Sequence, residues 1–192
     1  MISRLFWDNK AITYMVLSLG FGAVYALNNT LTAPLLLAPG AHLIHLPSGF
    51  KFLLVLVFGA VGALSIFTVS LCAALGFYFP GHLALSLELA TANALAPLLT
   101  KRFFLDHAML QENLSNLSWK KLLSMGLLFS LLNSSLNQLI LYWNQTIQNM
   151  VDGLAIMLIG DLSGVCLVTV LIRLGLNMFK AQSRDLSGSD KD

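Results

Sequence analysis

Charge is what this 192-residue sequence has least of. Asp, Glu, Lys and Arg together make up 10% of it, against about 25% in an ordinary soluble domain. So few charges cannot coat a soluble chain of this size, which excludes a soluble enzyme, a nucleic-acid binder and a disordered segment. Cysteine is nearly absent too. Cys72 and Cys166 both sit in apolar runs and supply neither a disulfide framework nor a zinc-ligand spacing. There is no nucleophile–base pair, no phosphate-cradling loop and no HExxH, so neither an enzyme nor a cofactor is expected. What remains is apolar: 57% of residues are hydrophobic and the mean hydropathy is +0.77. That composition belongs to an integral membrane protein, with the lipid bilayer as its first partner and no nucleic acid.

The charges divide the chain into long silent windows. None falls between Ala11 and Phe50, between Phe52 and Leu87, or between Leu122 and Val151. A span needs about 20 apolar residues, so the first two windows must contain turns. Spans must be helical, because backbone in lipid satisfies its hydrogen bonds internally. The pattern predicts helices over about 11–28, from about Gly49 to a turn at Gly59 and Gly62, from there to about Phe79, and over about 82–100, 122–143 and 151–172. The second and third are short for full crossings, and one long tilted helix with a short partner is the alternative. Between the first two helices, Pro34, Pro39-Gly40 and Pro47 break helical bonding and point to an interfacial or re-entrant connection. Pro80-Gly81 ends the third helix, and Pro97 predicts a kink late in the fourth. The first helix, preceded by Arg4 and Lys10 and containing Val24-Tyr25-Ala26, has signal-peptide features. Its apolar run of about 18 residues exceeds a signal core, which favours an uncleaved helix.

The fold class is therefore an all-α, polytopic transmembrane bundle of about six helices, one domain over residues 1–180. The Ser-, Asp- and Lys-rich residues 181–192 read as a disordered cytoplasmic tail. With both termini cytoplasmic, Arg4, Lys10, Lys101, Arg102, Lys120, Lys121, Arg173, Lys180, Arg184 and Lys191 all fall inside, and of the eleven basic residues Lys51 alone falls outside. That bias sets the orientation. Tyr78, Tyr142 and Trp143 then anchor the outer interface, while Phe103, Phe104 and Trp119 flank an inner loop too short to hold a catalytic domain.

Ionisable groups at bilayer depth are costly and point to function. Asp161 lies about 15 Å and Glu88 about 9 Å below the outer helix ends. Lys51 begins the second helix, where its stem can snorkel outward. Ser130, Asn133, Ser134 and Asn137 form one stripe on the fifth helix. Asn93 is about 140° from Glu88 around the fourth helix, so the two need not share a cavity. The candidate ligand-binding residues are Lys51, Glu88, Asn93, Asn133, Asn137 and Asp161, around a polar pocket open to the outside. The competing reading is that such groups only hold helices together, at about 0.6 kcal/mol per bond. His42 and His45 lack further ligands and read as ordinary interfacial histidines rather than a metal site. Gly22 and Ala26 suit close helix packing.

Three stretches together resemble the bacterial membrane-associated sensor domain of the first type. They are Leu46-Pro47-Ser48-Gly49 with Gly59 after it, the run from Leu87 to Phe104 with Asn93 and Lys101-Arg102, and Gly160-Asp161-Leu162-Ser163-Gly164. Leu46 stands where that family usually has tryptophan, and the family's module is commonly longer. The resemblance implies a shortened, stand-alone sensor module of the bacterial inner membrane, without an output domain. Such a module would bind an unknown small ligand and act through a separate signalling partner. Six helices in about 190 residues also resemble the substrate-binding subunit of energy-coupling-factor vitamin transporters, which would dock on a transport partner through Gly22 and Ala26. A structural membrane subunit is the third reading.

Overall fold

The computed structural model describes residues 9–32, 36–38, 41–42, 44–107 and 109–188. Among them are six helices: α1 (Lys10–Leu31), α2 (Leu46–Phe58), α3 (Ala60–Ala73), α4 (Leu83–Asp106), α5 (Trp119–Trp143) and α6 (Met150–Gly188). A two-stranded antiparallel ribbon, β1 (Leu36–Ala38) and β2 (Ala41–His42), lies between α1 and α2. The helix starts follow local chemistry. The Asn9 side chain accepts from the Ala11 N–H at 3.0 Å, and the Ser118 side chain caps α5 by accepting from Lys121 N. Pro47 sits in the first turn of α2, where its missing N–H costs nothing. The α2–α3 turn is made by Gly59 at φ +57°, a conformation only glycine adopts freely. Gly62, expected to share that turn, lies inside α3 instead. There a Cβ would collide with the Leu54 carbonyl, so its role is close approach of α2 and α3.

Five segments are long and apolar enough to cross a membrane: Lys10–Leu31, Ala60–Tyr78, Leu83–Asp106, Trp119–Trp143 and Met150–Leu171. The third segment of the sequence reaches spanning length because a π-helical turn, Ala74–Tyr78, extends α3. Phe79 N closes that turn on Ala74 O at 2.7 Å. The thirteen residues of α2 rise only about 20 Å. This short helix is nevertheless the hub of the bundle, packed against all five others. Its lower half is held by two apolar clusters. Phe52 and Leu56 pack with Met125, Phe129 and Val165, and Val55 packs with Phe21, Ile66 and Ala94. The Phe52 and Phe129 rings stack at 5.8 Å.

Cross-helix contacts fix which ends lie together. The Arg173 guanidinium sits 5.5 Å over the Trp119 ring, and Lys101 Nζ donates to Leu56 O at 2.9 Å. At the opposite end Tyr78 donates to Asn29 at 3.0 Å and Asn144 to Glu88 at 2.8 Å. The Lys10 and Arg173 ends of the chain are therefore on one side of the bundle. Leu19, Leu99, Leu127, Leu131 and Leu171 are exposed on its flanks, as lipid-facing residues should be. Phe104, expected at an interface, is buried in the core. Pro97 is accommodated within α4, which continues to Asp106. With no proline to stop it, α6 continues through Gly188, into the stretch expected to be disordered; residues 189–192 lie outside the described residues.

Candidate functional site

The connection between α1 and α2 returns to mid-bundle before α2 begins. His45 N donates to Gly160 O at 3.2 Å, and Gly160 lies about 15 Å along α6 from Met150. Much of the proline-containing segment, Pro34 and Pro39-Gly40 included, lies outside the described residues; its described end, at His45, meets the middle of α6. Two glycines make the approach possible. A Cβ on Gly164 would strike the His45 carbonyl, and one on Gly49 would strike Gly164 O and the Val168 side chain. The Pro47-Ser48-Gly49 and Gly160-Asp161-x-x-Gly164 stretches, 113 residues apart from Ser48 to Asp161, are thus in direct contact.

Asp161, 3% exposed, places its carboxylate at the N-terminus of α2, where backbone N–H groups and the helix dipole favour an anion. One oxygen accepts from the Ser48 hydroxyl and lies 3.4 Å from His45 Nδ1. The other accepts from Asn133 Nδ2 at 2.6 Å and Ser134 Oγ at 3.1 Å. His45 Nδ1 is also 2.8 Å from Ser48 Oγ. A proton on Nδ1 fits this arrangement, donated toward Ser48 while Ser48 donates to Asp161. Asn28 of α1 completes the junction by accepting from Leu46 N at 2.9 Å. With three side chains donating to it and His45 Nδ1 beside it, the carboxylate is saturated.

Lys51, one turn further along α2, is not. It is 2% exposed, so it does not snorkel outward as the sequence suggested; α1, α4 and α6 close around the helix that carries it. Its ammonium has three donors, and its hydrogen-bond partner is Asn93 Oδ1 at 2.7 Å. Asn137 Nδ2 donates to the same oxygen at 3.3 Å and to Asn133 O at 2.8 Å. Among the described residues no carboxylate lies within 4.0 Å of Lys51.

Lys51, Asn93, Asn133, Asn137 and Asp161 all border one cavity of about 60 Å³. Tyr25, His45 and Tyr78 form another wall, with Tyr25 edge-on to His45 at 6.2 Å and to Tyr78 at 6.4 Å. The Ser70 hydroxyl on α3 also borders the cavity and has no hydrogen-bond partner among the described residues. A second, wider hollow of about 390 Å³ lies at the Trp143 end among Gly81, His82, Asn144 and Thr146. Phe79 lines both spaces and stands between them.

Five of the six expected site residues therefore meet. Glu88 does not: it is exposed and bonded to Asn144 outside the cavity wall. The sequence reading passed over His45, Ser48, Tyr25 and Asn28. The signal it had for the first two was their spacing of three at a helix start, which sets both side chains beside one helix N-terminus. His42 lies in β2, with its side chain outside the description. Among the described residues no group of three His, Cys, Asp or Glu is placed to hold a metal. Comparison of the chain with family models, curated proteins and solved structures finds no match.

Proposed function

We propose that this membrane protein is a receptor for a small ligand, a sensor-like module of the bacterial inner membrane that reports occupancy of the polar cavity to a separate partner. The observation that carries the reading is the Lys51 ammonium, buried in the bundle with one acceptor among the described residues and a cavity beside it. An ammonium at bilayer depth with unused donors is an expensive way to pack helices. It makes sense where a second molecule completes its bonding.

The central position of α2 supports a path from site to partner. Its N-terminus carries the Asp161 cluster. Its C-terminal carbonyls, Val55 O and Leu56 O, accept from Lys101 Nζ at 3.3 and 2.9 Å. A ligand that drew on Lys51 would shift α2 between these two fixed ends, provided it binds one position of α2 better than the other. With the ten basic residues inward, the hollow beside Phe79 opens outward and the Lys101 end faces the cytoplasm.

The transport reading draws on a different observation. A Cβ on Gly22 would meet nothing within 4 Å, and Ala26 is exposed. The small-residue face of α1 is thus unpacked among the described residues and suits a docking partner.

Isolation of the full chain from native membranes under mild detergent tests the two. A sensor co-purifies with a signalling protein whose output the extracted small molecule alters, and Lys101→Met uncouples that output while binding is kept. A transport subunit co-purifies with an ATPase complex. Recovery of the folded chain with no small molecule, from membranes that have not been depleted, would contradict both.

A further inference from the structure

The bonding around the cavity is lopsided, and the imbalance defines the ligand. The cavity's carboxylate, Asp161, is saturated by Ser48, Asn133 and Ser134, with His45 beside it. The unused charged group is a donor, and the acceptor left without a partner among the described residues is the neutral Asn137 amide oxygen. Lys51 bonds Asn93 Oδ1 and has two further N–H donors. Because an ammonium cannot accept, the Asn93 atom facing it must be the amide oxygen. The Asn93 Nδ2 donor is then left without a partner among the described residues. Ser70 Oγ on the facing helix is unpartnered as well. An amine ligand would find no free carboxylate here, whereas an oxyanion would find several donors.

Size and wall chemistry narrow the class. At about 10–15 Å³ for each water-sized position, the cavity of about 60 Å³ holds about four to six heavy atoms. Its remaining wall includes Leu89, Leu141 and Met157, which suits a short alkyl group.

We infer that the cavity takes a short-chain carboxylate of about two to four carbons, its oxygens on Lys51 Nζ and Asn93 Nδ2 and its alkyl end against Leu89, Leu141 and Met157. This rests on the small-ligand reading above and assigns its chemistry. The acid can come from water through the hollow at Phe79 or from a longer fatty acid in the bilayer, and the cavity volume favours the first.

The test is thermal unfolding of the purified, ligand-depleted full chain in detergent, titrated with sodium propionate, propylammonium chloride, sodium decanoate or sodium chloride. A ligand that binds the folded state raises the melting temperature with concentration. Propionate is expected to do so, and the other three are not. Lys51→Met should weaken the propionate response at least tenfold. Asn93→Asp places a carboxylate against Lys51 and should abolish the response without removing the lysine, so a folding defect in one variant does not decide the matter. A shift with propylammonium instead of propionate overturns the carboxylate assignment and leaves the small-ligand reading standing. A shift with decanoate alone overturns the short-chain assignment in favour of a lipid acid. An equal propionate shift in the wild type and both variants places binding elsewhere and overturns the proposal. No shift with any salt also overturns it, and the small-ligand reading is then decided by what the membrane-isolated chain retains.

Discussion

Lys51 and Asp161 border the same cavity, yet their charged groups share no contact within 4.0 Å. Each is bonded to a different amide: Asp161 to Asn133 at 2.6 Å and Lys51 to Asn93 at 2.7 Å. The opposite charges lower the cost of having both at bilayer depth without collapsing onto each other. Had they formed a direct pair, the lysine donors would have been consumed and the space between closed. The separation is what leaves a site.

Asp161→Asn keeps the volume of the side chain and removes its capacity to accept on both atoms. The new amide must point N–H at Asn133, Ser134 or Ser48, each of which donates now. Unfolding measurements should show a loss of about 1–3 kcal/mol. Unchanged stability would mean that the carboxyl is already neutral and donating, and would remove the charge from the α2 N-terminus.

Gly164→Ala drives a methyl into the His45 carbonyl at the crossing of α2 and α6. Overpacking of this kind costs about 1–3 kcal/mol, and it should also displace His45 and Ser48 from Asp161. Gly20→Ala and Gly22→Ala meet open space, and each should be neutral or stabilising by up to about 1 kcal/mol, the helix preference of alanine over glycine. Equal losses at all three positions would show that the close approach at Gly164 is not special.

Orientation is read by labelling single cysteines in intact cells, in a background lacking Cys72 and Cys166, which are both exposed. Gln148→Cys, exposed at the Trp143 end, should react with an impermeant thiol reagent. Gln111→Cys, exposed in the loop between α4 and α5, should be protected until the membrane is opened. The reverse pattern would turn the cavity's hollow toward the cytoplasm.

The sequence was informative wherever composition or a breaker residue decided the outcome. Charge-free windows located the spans, and Gly59 and Pro80-Gly81 marked the turns correctly. Asp161, Asn133 and Asn137 stood out because polar groups in apolar runs are costly. Lys51 was recognised too, but its setting was not. A lysine near a helix start has a snorkelling path in principle, and only the packing of α2 on all five other helices shows that this path is closed. Glu88 misled for the opposite reason. Depth along a helix is readable from residue counts, but the direction of a side chain around the bundle is not. His45 was discounted because its neighbours in sequence offer no ligands; its true neighbour, Asp161, is 116 residues away.

On the function proposed above, Lys51 is kept under-bonded at bilayer depth for the sake of a ligand. The most direct measure is the melting temperature of Lys51→Met against the wild type, both freed of ligand. Methionine fills nearly the same volume without an ammonium whose bonding is incomplete, and Asp161 keeps its own donors, so a buried-charge cost is removed and the bond lost is the one to Asn93. The variant is expected to melt higher than the wild type. A variant that melts lower would show that the Lys51–Asn93 bond holds the bundle together, and that the cavity beside it is incidental.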